Sequence, residues 1–282
     1  MKKILVPTDF SDNAYSALCY VSKLYSAESL QITVLHSFNS EVESMGPRMD
    51  IKKSEALTKT LLKESVLEGD QMIKRLKVDA PKLKHDFKVL ATPAMLSDSI
   101  DSLVVNEGYD LVVMGSKGQT GAEDILMGST TDRIVNTLEA CPLLIVPEQV
   151  EFSMPTEIAF ASDYNEFYSL SELKPITRLV RQYGSNLNIV NVGSEADLDK
   201  KQKLNFEKFN TDLTEYNSNF YFVPKRGSVS KTLFNFIDEK NIALFALIYH
   251  KHNFIKQLFR EPVVSRLGEH MYVPTLVIPQ QY

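Results

Sequence analysis

Cysteine is nearly missing from this chain: the 282 residues hold two, Cys19 and Cys141, far apart and outside any C-x-x-C spacing. Neither a disulfide framework nor a thiolate zinc site has support. Both thiols are expected to be buried in a protein of a reducing compartment. Basic excess is missing too, because 31 Lys and Arg face 36 Asp and Glu, a formal charge of −5. No basic run interleaves with aromatics, so nucleic acid is not an expected partner. No apolar run reaches membrane-spanning length, and the first one ends at Pro7-Thr8-Asp9, too soon for a secretory signal. The expected location is cytoplasmic, without a membrane partner. Catalytic signatures are lacking as well: there is no G-x-x-x-x-G-K-[S/T] loop, no G-x-S-x-G elbow and no Cys, His and Asp grouping. A dedicated enzyme is not expected.

What is present is ample core material, 44% hydrophobic against 24% charged residues, enough for a substantial core in each half of the chain. The length favours two ordinary domains or one large α/β domain. A repeat decides for two. Short apolar runs alternate with helical patterns: a strand at Lys3 to Pro7, a helix over about Ser11 to Ser26, a strand at Gln31 to His36, and a long helix over about Lys52 to Leu76. A strand at Lys84 to Leu90, a helix at Ala94 to Asn106, a strand at Asp110 to Met114, a helix at Ser129 to Leu138 and a strand at Pro142 to Pro147 complete the first set. The order then restarts with Ile158 to Asp163, Leu187 to Val192, Asn219 to Val223, Ala243 to Ile248 and Val273 to Pro279. Strands separated by helices imply right-handed crossovers and parallel sheets covered on both faces. The predicted fold class is α/β, with two Rossmann-like doubly wound domains over residues 1–149 and 154–282, each with a parallel five-stranded sheet of order 3-2-1-4-5.

Chemistry points to the loop after the fourth strand. Gly115-Ser116-Lys117-Gly118 is followed by nine residues and then Gly128-Ser129-Thr130-Thr131. Glycines there permit positive φ and close approach of an anion, and a helix opening at Gly128-Ser129 would offer free N–H groups. Ligands of open α/β sheets sit beyond the carboxyl ends of the strands, at the switch point between strands one and four. Asp9 ends strand one, where it could cap the next helix or meet a ribose or a magnesium ion. Turn glycines beside a solvated Lys117 are the plainer reading of the same loop.

Three segments carry a family resemblance: Ile4 to Ser11, Met114 to Gly118 through Gly128-Ser129-Thr130, and Cys141 to Val146. Together they resemble the ATP-binding branch of the universal stress protein family, whose fold is adenine nucleotide alpha hydrolase-like. The resemblance covers the first half and, more faintly, the second, so a tandem form is implied. It implies ATP, or AMP or ADP in its place, with Mg²⁺ as companion. Phosphates would lie on Met114, Gly115, Lys117, Gly118, Gly128, Ser129 and Thr130, with Asp9 at the ribose and adenine. Pro7, Thr8 and Ser37 would line the base side. This chain departs from the family pattern there: Ser37 replaces a common Val, and Ala91-Thr92-Pro93 stands where a Gly is usual.

In the second half none of the loop glycines survives; Ile248, Lys251, Glu261 and Pro262 stand in their approximate places. An acidic side chain and a residue without an N–H suit a phosphate poorly, so one nucleotide per chain is expected. Asp163 and Gly227 remain, enough for a remnant pocket. His250 and His252 lack a third metal ligand, and they, like His36 and His270, are expected in surface or strand-end roles. The resemblance also implies domains paired through Leu143 to Val146 and Leu276 to Ile278, or a homodimer, with an unidentified protein partner. The rival functions are a slow ATPase or adenylate-transferring enzyme and a nucleotide-free binding module.

Overall fold

The computed structural model describes residues 2–44, 51–117, 128–148, 150–249 and 273–280. They fall into two compact units, Met1–Phe152 and Ser153–Tyr282.

In the first unit, β1 (Lys2–Thr8) is followed by α1 (Asp12–Leu24), β2 (Leu30–Ser37), α2 (Asn39–Ser44) and α3 (Ile51–Asp79). Then come β3 (Asp86–Thr92), α4 (Leu96–Glu107), β4 (Leu111–Gly115), α5 (Ser129–Thr137) and β5 (Leu143–Val146). All pairings are parallel and give the order β3-β2-β1-β4-β5. The central strands bury both faces: Ile4, Leu5, Val6, Ile32, Val34, Val112 and Val113 are fully enclosed. This is why they read as unbroken apolar runs rather than alternating ones. α1 lays Ala14, Ala17, Leu18, Val21 and Leu24 against the sheet, the spacing of a helix with one apolar face.

In the second unit, β6 (Glu157–Ala161) leads to α6 (Lys174–Tyr183), β7 (Asn186–Val192), a 3-10 turn (Glu195–Asp197) and α7 (Lys200–Asp212). β8 (Ser218–Val223), α8 (Val229–Glu239), β9 (Leu244–Tyr249) and β10 (Thr275–Pro279) follow. Parallel pairing again gives the repeat order, β8-β7-β6-β9-β10. Its sheet-to-helix layer is aromatic: Phe209 on α7 lies 5.8 Å from Phe160, 6.3 Å from Tyr168, 6.4 Å from Tyr164 and 6.5 Å from Phe220, centroid to centroid. α4 and α6 both end in a left-handed glycine, Gly108 and Gly184, the usual helix stop.

Several local expectations need correction. α2 carries no buried residue and so gives no burial pattern to read. No helix follows β6 directly; α6 starts only at Lys174, a residue before Pro175, which suits a first helical turn. The long helix is amphipathic over its second half, where Met72, Ile73 and Leu76 are buried, while Leu62 and Leu67 are exposed. Cys141 is buried, but Cys19 is only partly so. Among the described residues, no helix is long and apolar enough to cross a membrane.

Candidate functional site

The two copies of the strand-one turn match atom for atom. Phe10 N donates to Thr8 Oγ1 (2.9 Å) and Ser11 N to Asp9 Oδ1 (3.1 Å); in the second unit Tyr164 N donates to Ser162 Oγ (3.1 Å) and Asn165 N to Asp163 Oδ1 (3.0 Å). Phe10 and Tyr164 both have positive φ, 61° and 58°, held by these side-chain-to-backbone bonds. The cap of α1 is Ser11, whose hydroxyl accepts from Ala14 N (3.2 Å). Asp9 is therefore not the helix cap, contrary to one of its two sequence readings. It sits two residues earlier, at the carboxyl end of β1.

What differs between the copies is how far the two central strands stay paired. The β1–β4 ladder covers Ile4↔Leu111 and Leu5↔Val112, while β1 and β2 pair on to Thr8↔His36. Pro7 has no N–H to give, and the ladder stops where its bond to β4 would come. In the second unit the equivalent pair continues two residues further, through Phe160↔Ala246 and Ala161↔Leu247, with Ala161 in the place of Pro7. The ladder beside the switch point is therefore two residues shorter in the first unit than in the second.

β4 runs on past the end of this ladder to Gly115, buried throughout. The carbonyls of three successive residues are each occupied: Gly115 O accepts from Thr131 Oγ1 (3.1 Å), Ser116 O from Gly128 N (2.8 Å) and Lys117 O from Asn13 Nδ2 (2.8 Å). Gly115 is not in the left-handed region, which corrects the positive-φ explanation for it. The reason is space: a Cβ there would lie 2.8 Å from Asn13 Cγ. Gly128 is likewise extended (φ −67°, ψ 156°) and caps α5 without any side-chain bond. Among the described residues, no side chain is recorded accepting from the first-turn N–H groups of α5, and Ser129 and Thr130 are exposed. Gly118 and the loop to residue 127 lie outside the described residues, as do His250, Lys251, His252, Glu261, Pro262 and His270.

Of the residues expected on the base side, Pro7 and Thr8 are buried and Ser37 is half-buried; Met114, at the end of β4, is also buried. The Ser37 hydroxyl is committed to Ala94 O (2.7 Å), and Thr8 Oγ1 is 3.8 Å from the Met72 sulfur. Phe10 packs on His36 with centroids 4.5 Å apart. His36 Nδ1 meets Ser65 Oγ at 2.9 Å. Because Ser65 donates its own proton to Leu61 O (2.7 Å), His36 Nδ1 must be the donor, leaving Nε2 as the acceptor of a neutral ring. His36 is thus a half-buried residue at the end of β2, in the strand-end place expected of it. Burial pushes its pKa below 6.5, with Glu41, Glu68 and Asp9 opposing. The unfolded chain then binds the proton more readily. Stability from the neutral ring is complete above pH ~6.5 and falls as pH drops toward the folded value. Histidine NMR titration should place His36 below 6.5, and a His36→Asn variant should lose less stability than the parent between pH 7 and 5.

In the second unit the matching space is filled. By strand register Ala91 corresponds to Phe222, whose ring lies 6.0 Å from Tyr164 and 5.3 Å from Phe206. Asn13, Thr131, His36 and Ser65 were not singled out as site residues from sequence. Asn13 had one legible signal, a polar residue on the apolar face of α1.

The first unit is a doubly wound parallel α/β unit whose fourth strand runs into a glycine-bounded segment ahead of α5. Residues 1–147, more than half of the chain, match the model of the universal stress protein family, and the chain belongs to that family. Two proteins of Methanocaldococcus jannaschii are similar to the first half. Universal stress protein MJ0577 is 29% identical over 161 residues, 51% of this chain and 94% of the relative. Universal stress protein MJ0531 is 31% identical over 154 residues, 51% of this chain and 81% of the relative. Similarity across both halves comes from the crystal structure of a universal stress protein from Archaeoglobus fulgidus, with TM-score 0.65, 19% identity and coverage of 99% of this chain and 96% of that one. At that identity the likeness concerns the fold.

Proposed function

We infer that the chain is a cytoplasmic nucleotide-binding regulatory protein that holds one adenine nucleotide, ATP in the leading reading, in its first unit. The observation that carries this is the loop after β4, where the carbonyls of Gly115, Ser116 and Lys117 are all taken by protein donors ahead of α5. Beside it the β1–β4 ladder ends at Leu5↔Val112, two residues short of the β6–β9 ladder of the second unit. With these carbonyls turned to protein donors, N–H groups are what such a loop can offer a phosphate. Gly118, Gly128, Ser129 and Thr130 complete the proposed cradle. Pro7, Thr8, Asp9 and Ser37 form the base and ribose side, with His36 and Phe10 as its wall. Mg²⁺ would arrive with the nucleotide, and Asp9 is the candidate carboxylate for it.

The second unit supports the asymmetry. Its β6–β9 ladder runs two residues longer, Phe222 occupies the place of Ala91, and Ile248 takes the place of Gly115. ATP binding in the first unit would favour one conformation of it and so bias a surface read by a protein partner. Mass spectrometry of small molecules released from the purified protein tests the reading. Intact ATP supports it, ADP or a modified adenylate favours a slow ATPase or transferase, and no nucleotide favours a binding module.

A further inference from the structure

We propose that Asn13 is the positioning residue of the loop that leaves β4, holding the Lys117 carbonyl on α1 and away from any anion the loop receives. The proposal deepens the nucleotide reading of the first unit and rests on it.

Four observations converge on this side chain. Asn13 is 3% exposed in the second position of α1, a site where a polar residue is costly unless bonded. Its amide donates to Lys117 O at 2.8 Å across 104 residues of sequence. Its Cγ, Nδ2 and Oδ1 occupy the space where a Cβ on Gly115 would stand, 2.8 to 2.9 Å away. Its Oδ1 is buried without a hydrogen-bond partner, so the residue is held there at a cost that packing alone would not select. Of the three captured carbonyls, that of Gly115 is held from α5 and that of Ser116 by the backbone of Gly128. Only the Lys117 carbonyl is held from α1. A carbonyl oxygen facing a phosphate repels it, and Asn13 removes that group from contention.

The duplicated chain supplies an internal control. Registering β1 on β6 and β4 on β9 places Phe167 at the position of Asn13 and Ile248 at that of Gly115. Phe167 is largely exposed, with Lys208 over its ring at 4.3 Å. The amide and the glycine are lost together, as expected if they form one device.

Trypsin cleavage after Lys117 reads the clamp without nucleotide, and titration calorimetry with ATP and with adenosine reads its use. Asn13→Ala should speed cleavage after Lys117, relative to other sites, by about fivefold, because cleavage follows the open population. It should also weaken ATP by about tenfold while leaving adenosine within about twofold, since only phosphates meet the loop. Asn13→Asp gives a second variant: its carboxylate repels the carbonyl at neutral pH, and on protonation it becomes a donor. Its ATP affinity relative to the parent should recover as pH falls toward 5. Unchanged cleavage after Lys117, or equal losses for ATP and adenosine, would overturn the proposal. If the parent binds no ATP, the nucleotide reading fails and the cleavage ratio alone decides the clamp.

Discussion

Phe209→Ala is expected to destabilise the second unit by about 3–5 kcal/mol, the range for deleting a fully buried aromatic ring from a core. Phe209 is 3% exposed and its ring is within 6.5 Å of Phe160, Tyr164, Tyr168 and Phe220. Each tilted or edge-on pair adds about 0.5–1.5 kcal/mol beyond area burial, and all four lose their partner at once. Phe209 shares its surroundings with Phe160, Leu173, Ile176, Thr177, Leu187 and Leu213, where the substitution would leave a void the size of a phenyl ring. Guanidinium denaturation followed by tyrosine fluorescence measures the loss. Two units with separate cores can unfold in two steps, so the transition that moves should be that of the second unit alone. ATP binding to the first unit should be kept. A loss below about 1 kcal/mol would mean the rings are not packed as described.

The second large effect is expected from Gly115→Val. Even the first added carbon would stand 2.8 Å from Asn13 Cγ and 2.9 Å from its Nδ2 and Oδ1. Asn13 cannot swing aside cheaply, because it is buried and its amide is bonded to Lys117 O. Overpacking of this kind costs about 1–3 kcal/mol of stability. The relief available is to expel Asn13, which frees the Lys117 carbonyl toward the site. Thr131 also bonds to Gly115 O, so displacement of Gly115 disturbs the start of α5 as well. ATP affinity should fall by about 100-fold, equivalent to about 2.8 kcal/mol, measured by calorimetry on protein shown to be folded by circular dichroism. An unchanged affinity would remove Gly115 from the site.

Much of the fold was legible because its strands are buried on both faces. Ile4 to Val6, Leu111 to Met114 and Leu144 to Val146 carry no polar residue, and a parallel sheet covered by helices is what such short runs require. The long helix was legible from its charged and apolar periodicity, although Leu62, Val66 and Leu67 along its middle are exposed. Periodicity records which side chains could pack, and the chain decides later what they meet. α2 was not legible because no residue on it is buried.

The site was legible as a spacing of glycines and not as a set of contacts. Gly115 was noticed for the wrong reason. Conformational freedom is a property of glycine alone, whereas the close approach of Asn13 is a property of two residues 102 positions apart. Pro7 was assigned to the base side, yet its place where the β1–β4 ladder stops depends on the register of the fourth strand. Asp9 offered two roles, and the hydroxyl of Ser11 took the capping one. His36 owes its position to Ser65, a residue on the far helix that sequence gives no cause to connect with it.

The central claim is one nucleotide site per chain, in the first unit. Titration calorimetry of ATP into the purified protein tests it most directly, repeated with Gly118→Glu to place an acidic side chain in the proposed cradle. The account predicts a single class of sites saturating at one ATP per chain, and no measurable binding by the variant. Two sites per chain, or equal binding by the Gly118→Glu protein, would contradict it.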